Sequence, residues 1–220
     1  MRRRSVLASL SACAGLAGCR SVGTPDPTDN STETPPTCES PSTRRVELAG
    51  TGALPAAAGV SATVTTERTR STAEAPARFT VALTNDGSDC AVDATDDGRC
   101  HLLNRGAGRS EPRGLWLYRA GDAPTDRAGE CWTRDLPPRD SVGFDGYGCG
   151  RYPFDSGETV GTTYEVWDDY TADGYLRPGT YRFDVSIALW AETPDEEDGT
   201  DPDPAVVDWW FELSVSADGG

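Results

Sequence analysis

Lysine is absent from this 220-residue sequence, so all 20 basic residues are arginine, and histidine, methionine and isoleucine occur once each, as His101, Met1 and Ile187. Each shortage excludes some chemistry. A blue-copper centre needs two His, a Cys and usually an axial Met, which this chain cannot supply. A His-based triad would have to be built on His101, with Ser110 or Ser141 as nucleophile, and no Gly-x-Ser-x-Gly surrounds either serine. Twenty basic residues stand against 36 acids, a formal net charge of −16. So little positive charge excludes nucleic acid as a partner, because phosphate binding needs a basic surface. No segment is apolar for the ~20 residues of a membrane span. No two cysteines have the Cys-x₂₋₄-Cys spacing of a structural zinc site, and the Asp-x-Asp-x-Asp-Gly register of an EF-hand loop is missing. No convincing helical period of apolar residues is present, and no internal repeat.

What is present begins with a leader. Arg2-Arg3-Arg4-Ser5-Val6-Leu7 opens a short apolar region, Val6 to Ala17, that ends in Leu16-Ala17-Gly18-Cys19. The paired arginines resemble a twin-arginine export signal, and the Leu-Ala-Gly-Cys ending is similar to a lipobox. Residues 1–18 are thus expected to be a signal peptide, with Cys19 as the lipid-bearing first residue of the mature chain. That resemblance implies a protein held by lipid on the extracytoplasmic face of the cell membrane. One acyl chain holds at only roughly 10⁴ M⁻¹, so stable attachment implies a two-chain lipid. Losing the leader removes three arginines and no acid, which leaves 17 arginines against 36 acids, or −19. This acidic, lysine-free composition resembles that of haloarchaeal proteins, where dense carboxylates hold hydration while concentrated salt screens their repulsion.

Residues 19–44 are rich in Pro, Thr, Ser and acids and nearly empty of large apolar side chains. Such a segment cannot bury enough surface to order itself and reads as a tether, extended at Pro25, Pro27, Pro35 and Pro36. Asn30-Ser31-Thr32 within it is an N-glycosylation sequon, with Asn30 the candidate acceptor.

Residues 45–218 read as one domain. Tyr181, Phe183, Val185, Ile187 and Leu189 alternate with Arg182, Asp184 and Ser186, the period of two expected of a strand with one face buried. Further alternations run over Val60–Thr65, Arg78–Thr84, Val160–Val166 and Val207–Val215, separated by turns such as Asn85-Asp86-Gly87. Leu115-Trp116-Leu117-Tyr118 is apolar on both faces and is expected to lie under a loop or a neighbouring strand. Leu176-Arg-Pro-Gly-Thr-Tyr181 resembles the corner of immunoglobulin-like sandwiches, in which Pro178-Gly179 makes a type II turn and Tyr181 bonds back to upstream backbone. Tyr164-Glu165-Val166-Trp167-Asp168, Gly174-Tyr175-Leu176 and Pro178-Gly179-Thr180-Tyr181 resemble the closing half of the intracellular proteinase inhibitor type of immunoglobulin-like domain. The expected fold is therefore all-β, an antiparallel immunoglobulin-like sandwich of about seven strands.

Once Cys13 leaves with the leader and Cys19 takes lipid, Cys38, Cys90, Cys100, Cys131 and Cys149 are left. An exported location favours disulfides, and local pairing joins Cys90 to Cys100 and Cys131 to Cys149, leaving Cys38 odd. Asp195, Glu196, Glu197, Asp198, Asp201 and Asp203 form an acidic loop between the last two strands, and no metal or other cofactor is expected there or elsewhere. Trp116, Tyr118, Trp132, Tyr147, Tyr152 and Phe154 either pack a core or form a face for a glycan or a protein. The functional expectation is a non-enzymatic, membrane-anchored binding or scaffolding domain. The alternatives are a proteinase inhibitor, implied by the resemblance above, and a hydrolase built on His101.

Overall fold

The computed structural model describes residues 43–94, 100–103, 108–136, 150–191 and 203–217. Among the described residues ten strands form two antiparallel sheets. They are β1 (Arg44–Thr51), β2 (Val60–Arg68), β3 (Arg70–Ser71), β4 (Arg78–Asn85), β5 (Cys90–Val92), β6 (Leu115–Arg119), β7 (Tyr152–Phe154), β8 (Thr159–Asp168), β9 (Gly179–Ala191) and β10 (Ala205–Ala217). Six of them line up as β3-β1-β10-β9-β5-β7 and the other four as β2-β4-β8-β6. The single helical element among the described residues is a 3₁₀ turn at Ala56–Ala58.

The two sheets share one core, so the expected all-β sandwich is the fold. Tyr181, Phe183, Val185, Ile187 and Leu189 of β9 are all buried, as their alternation requires. Trp209, Phe211, Leu213 and Val215 of β10 lie beside them in register, Trp209 opposite Val185 and Phe211 opposite Phe183. Across the sandwich stand Phe79, Val81 and Leu83 of β4 and Tyr164 and Val166 of β8. Each such side chain, fully buried, contributes roughly 1.5–3 kcal/mol relative to exposure.

Six of the ten described strands match the runs read in the sequence; β3, β5 and β7 span only two or three residues, too few for a period to show. β1 adds another, starting at Arg44 and pairing with β10 on both sides of a bulge between Leu48 and Gly50.

The corner before β9 differs from the expected turn. Gly179 opens β9 in extended backbone (φ 159°), so it does not supply the left-handed centre of a type II turn. The left-handed residues are Gly174 (φ 83°) and Leu176 (φ 37°). Positive φ is costly for a leucine. Leu176 is held there by complete burial and by its amide, which donates to Asp168 Oδ1 at 2.8 Å. Tyr181 sits at the corner, and its hydroxyl donates to the Arg177 carbonyl at 2.7 Å.

Candidate binding face

The outer face of the four-stranded sheet changes character along its length. At one end the register of β6 against β8 sets Trp116 opposite Trp167 and Tyr118 opposite Glu165, all on the side away from the core. Trp116 stacks on Tyr118 with ring centroids 5.0 Å apart and on Tyr170 at 5.9 Å, while Trp167 meets both Tyr118 and Trp132 edge to face. An aromatic pair in such geometry contributes ~0.5–1.5 kcal/mol beyond its burial.

Arginines clothe this layer. The Arg109 guanidinium lies 3.9 Å above the Trp116 ring, Arg127 lies 3.9 Å above Trp132, and Arg134 lies 6.0 Å from the centre of Tyr170. Arg127 also donates to the carbonyls of Cys131 (3.0 Å), Ala73 (2.8 Å) and Glu130. Arg134 clasps both carboxylate oxygens of Asp126 through Nε, with Nη2 on Oδ2 at 2.8 Å. Trp132 is fixed by its own indole N–H, donated to the Thr72 carbonyl at 2.6 Å. Planar guanidinium groups suit this arrangement, because they stack on rings and still reach carbonyls with their edge. Trp116 and Trp167 are buried beneath the cover, whereas Tyr118 and Trp132 stay half-buried at its margin.

Farther along, charge and then hydroxyls replace the rings. Arg78 meets Glu165 at 2.6 Å across β4 and β8. Beyond that pair, the Thr80 and Thr163 hydroxyl oxygens lie 2.7 Å apart and both donate to Glu67, whose carboxyl they hold below its usual range. Thr84 and Thr159 form the next pair at 2.8 Å.

Two buried acids anchor the loops that carry the aromatic end. Asp168 accepts the Leu176 amide and lies 3.3 Å from the Thr133 hydroxyl, tying the corner loop to the loop bearing Trp132. Burial pushes its carboxyl up to about 7 despite these bonds. Asp169, fully buried, accepts Thr171 and lies 3.3 Å from Arg113.

The residues expected to carry chemistry are dispersed. His101 Nδ1 is 2.9 Å from the Tyr164 hydroxyl, which also accepts the Leu103 amide at 3.1 Å. Burial pushes the imidazole down to about 4, so it stays neutral across the physiological range. Ser110 donates instead to the Pro112 carbonyl at 2.8 Å and accepts the Leu115 amide at 3.0 Å. The two side chains are thus engaged with different partners. Of the six aromatics near one another in sequence, Trp116, Tyr118 and Trp132 join the layer just described. Tyr152 and Phe154 belong to β7 in the other sheet, where Phe154 is buried. Asn85 Nδ2 donates to Cys90 Sγ at 3.7 Å, and among the described residues no disulfide joins Cys90 to Cys100. Cys100 and Cys131 are buried and disulfide-bonded. Cys19, Asn30, Cys38, Ser141, Tyr147, Cys149 and the acidic loop except Asp203 lie outside the described residues. Among the described residues no group of three or more His, Cys, Asp or Glu is placed to hold a metal ion.

The arginine cover was not anticipated. Its one signal in the sequence is the interleaving of Arg109, Arg127 and Arg134 with Trp116, Tyr118 and Trp132. No protein-family model, curated protein or solved structure matches this chain.

Proposed function

We propose that this chain is a lipid-anchored extracytoplasmic protein whose β-sandwich binds a glycan or protein at the cell surface through the outer face of its four-stranded sheet. The observation that carries the reading is the arginine-covered aromatic layer on β6 and β8, which gives way to rows of threonine hydroxyls on the same face. Tyrosine, tryptophan and arginine are the residues enriched where partners dock, because each combines a large flat apolar surface with a directional polar edge. Threonine hydroxyls beside them add donors and acceptors without adding charge to a strongly acidic chain. Anchoring through lipid on Cys19 rests on the leader sequence.

The test is recovery from native membranes of the wild-type chain and of Trp132→Ala, followed by identification of what co-purifies. The reading requires a glycan or protein that follows the wild type and is lost from the variant, together with release of Cys19→Ser from the membrane fraction. Stoichiometric loss of protease activity on mixing with a panel of exported proteases would instead make the chain an inhibitor. A Cys19→Ser protein that stays with membranes at the wild-type level removes the anchor from the proposal.

A further inference from the structure

The strands at the sheet edges are unequal. β3 has two residues and β7 three, with Pro153 in its centre. β6 is guarded where Arg109 bridges Trp116 and the Ser110 amide donates to the Leu115 carbonyl at 3.0 Å. β2 alone among the described edge strands is long: nine residues, Val60 to Arg68, free of proline, paired only with β4 and regular up to a bulge between Thr66 and Arg68. Folded proteins blunt long edges with charge, proline or covering loops, because an open row of N–H and C=O groups recruits another strand.

The chemistry of β2 restricts what can add to it. Its two charged residues are turned toward their own subunit: Glu67 accepts Thr80 and Thr163, and Arg68 donates to the Pro76 carbonyl at 2.9 Å. What remains on the strand is Ser, Thr, Ala and Val, without charge, on a chain that carries 36 acids. A second copy can therefore approach along this edge with less repulsion than an average approach would meet. The tether is a poor occupant, since Pro25, Pro27, Pro35 and Pro36 lack the donors that a ladder needs.

We infer that two copies of this chain pair β2 to β2 antiparallel, joining their four-stranded sheets into one sheet of eight strands. Centring the pair on Val64 overlaps residues 62–66, the regular stretch ahead of the bulge between Thr66 and Arg68. Thr63 then faces Thr65 of the second copy, twice, on the outer side, a favourable cross-strand pair. Val64 faces its own counterpart on the side where it already packs against the core. The pairing does not depend on what the outer face binds, but it doubles that face in one plane and gives a repetitive surface partner two points of attachment.

Directly opposed residues in an antiparallel pair have Cα atoms roughly 4.5–5.5 Å apart, within disulfide reach. The experiment is mild oxidation of native membranes containing the full chain as wild type, Val64→Cys or Ala62→Cys, read on non-reducing gels. Val64→Cys gives a covalent dimer well above the wild-type background, and Ala62→Cys, which faces Thr66 in this register, does not. Adding Thr63→Asp and Thr65→Asp to Val64→Cys sets acid against acid and returns the dimer to background, with circular dichroism showing the sandwich retained. Trp132→Ala leaves the cross-link unchanged, so failure of the binding face and failure of the pairing are read separately. A well-folded Val64→Cys chain without dimer, equal dimer from Ala62→Cys, or cross-linking to a different protein overturns the inference.

Discussion

Asp168 accepts the backbone amide of Leu176, eight residues along the chain, and by doing so holds a leucine in left-handed backbone with its side chain wholly inside the core. The carboxylate that makes this contact is itself buried, which raises its affinity for a proton. Asp168 thus couples the conformation of the corner to pH.

The sign of that coupling follows from the raised value. A carboxyl near 3.8 when unfolded and about 7 when folded binds its proton more tightly in the native state, so protonation stabilises the fold. The contribution is fully present below pH 4 and is lost as pH rises toward and through 7. Each pKa unit corresponds to about 1.4 kcal/mol, which sets an upper bound of roughly 4 kcal/mol. Urea unfolding in molar salt is expected to show greater stability at pH 5 than at pH 8 for the wild type, with this difference reduced in Asp168→Asn. Equal pH dependence in the two proteins would show that Asp168 is not the group responsible.

The Tyr181 corner gives a second prediction. Tyr181→Phe removes the bond to the Arg177 carbonyl and is expected to cost about 1 kcal/mol. For a domain of this size that is ~2–4 °C in thermal midpoint. Gly114→Ala should cost more, about 1–3 kcal/mol, because the added methyl would overlap the Tyr181 ring. Calorimetry on both variants checks the order; a Gly114→Ala midpoint at or above that of Tyr181→Phe contradicts it.

Arg127 is expected to behave as a clamp. Arg127→Ala loses the stack on Trp132 and donors to three carbonyls from separate parts of two loops. We expect a loss of about 1–3 kcal/mol and a red shift of tryptophan emission as Trp132 gains water. Arg127→Lys keeps the charge but not the planar fork, so it should resemble alanine more than wild type. Wild-type emission from Arg127→Ala would mean that the cover is held by other groups.

Salt should stabilise the domain. With a formal net charge of −16, the thermal midpoint is expected to climb from low to molar NaCl, and equally with KCl, since screening is indifferent to which monovalent cation supplies it. Millimolar calcium matching molar sodium would point instead to cation sites in the Asp195 to Asp203 loop. A midpoint unmoved by salt would contradict both accounts.

How much of this could be read in the sequence varies with the kind of interaction. β9 announces itself because five large apolar residues alternate with polar ones, and every one of the five is buried. β6 is legible in a different way: Leu115 and Leu117 face the core, so Trp116 and Tyr118 must be covered from outside, and loops cover them. What covers them was not legible. Arg109, Arg127 and Arg134 come from separate loop positions with no common spacing, and only the folded loops bring each above its ring. The turn at Pro178-Gly179 misleads for a related reason. Local chemistry permits a left-handed glycine there, but burial of Leu176 and its bond to Asp168 move the left-handed backbone three residues upstream. His101 and Ser110 look available for chemistry in the sequence, and their nearest partners, Tyr164 and Pro112, belong to no motif.

The pairing of β1 with β10 sets Arg44 opposite Ala217 at one end and Thr51 opposite Phe211 at the other. β1 must therefore wait for a strand that is made long after it. Until β10 has been synthesised, β1 and β9 both face a gap in the middle of the six-stranded sheet, and hydrophobic side chains of the core have no second layer over part of their length. Contacts so far apart in sequence form late and slowly. A chain stalled in translation before Ala205 lacks the strand that joins the two halves of the six-stranded sheet. The sandwich thus closes only once β10 has been made, and truncations before Ala205 should be more protease-sensitive than the full chain.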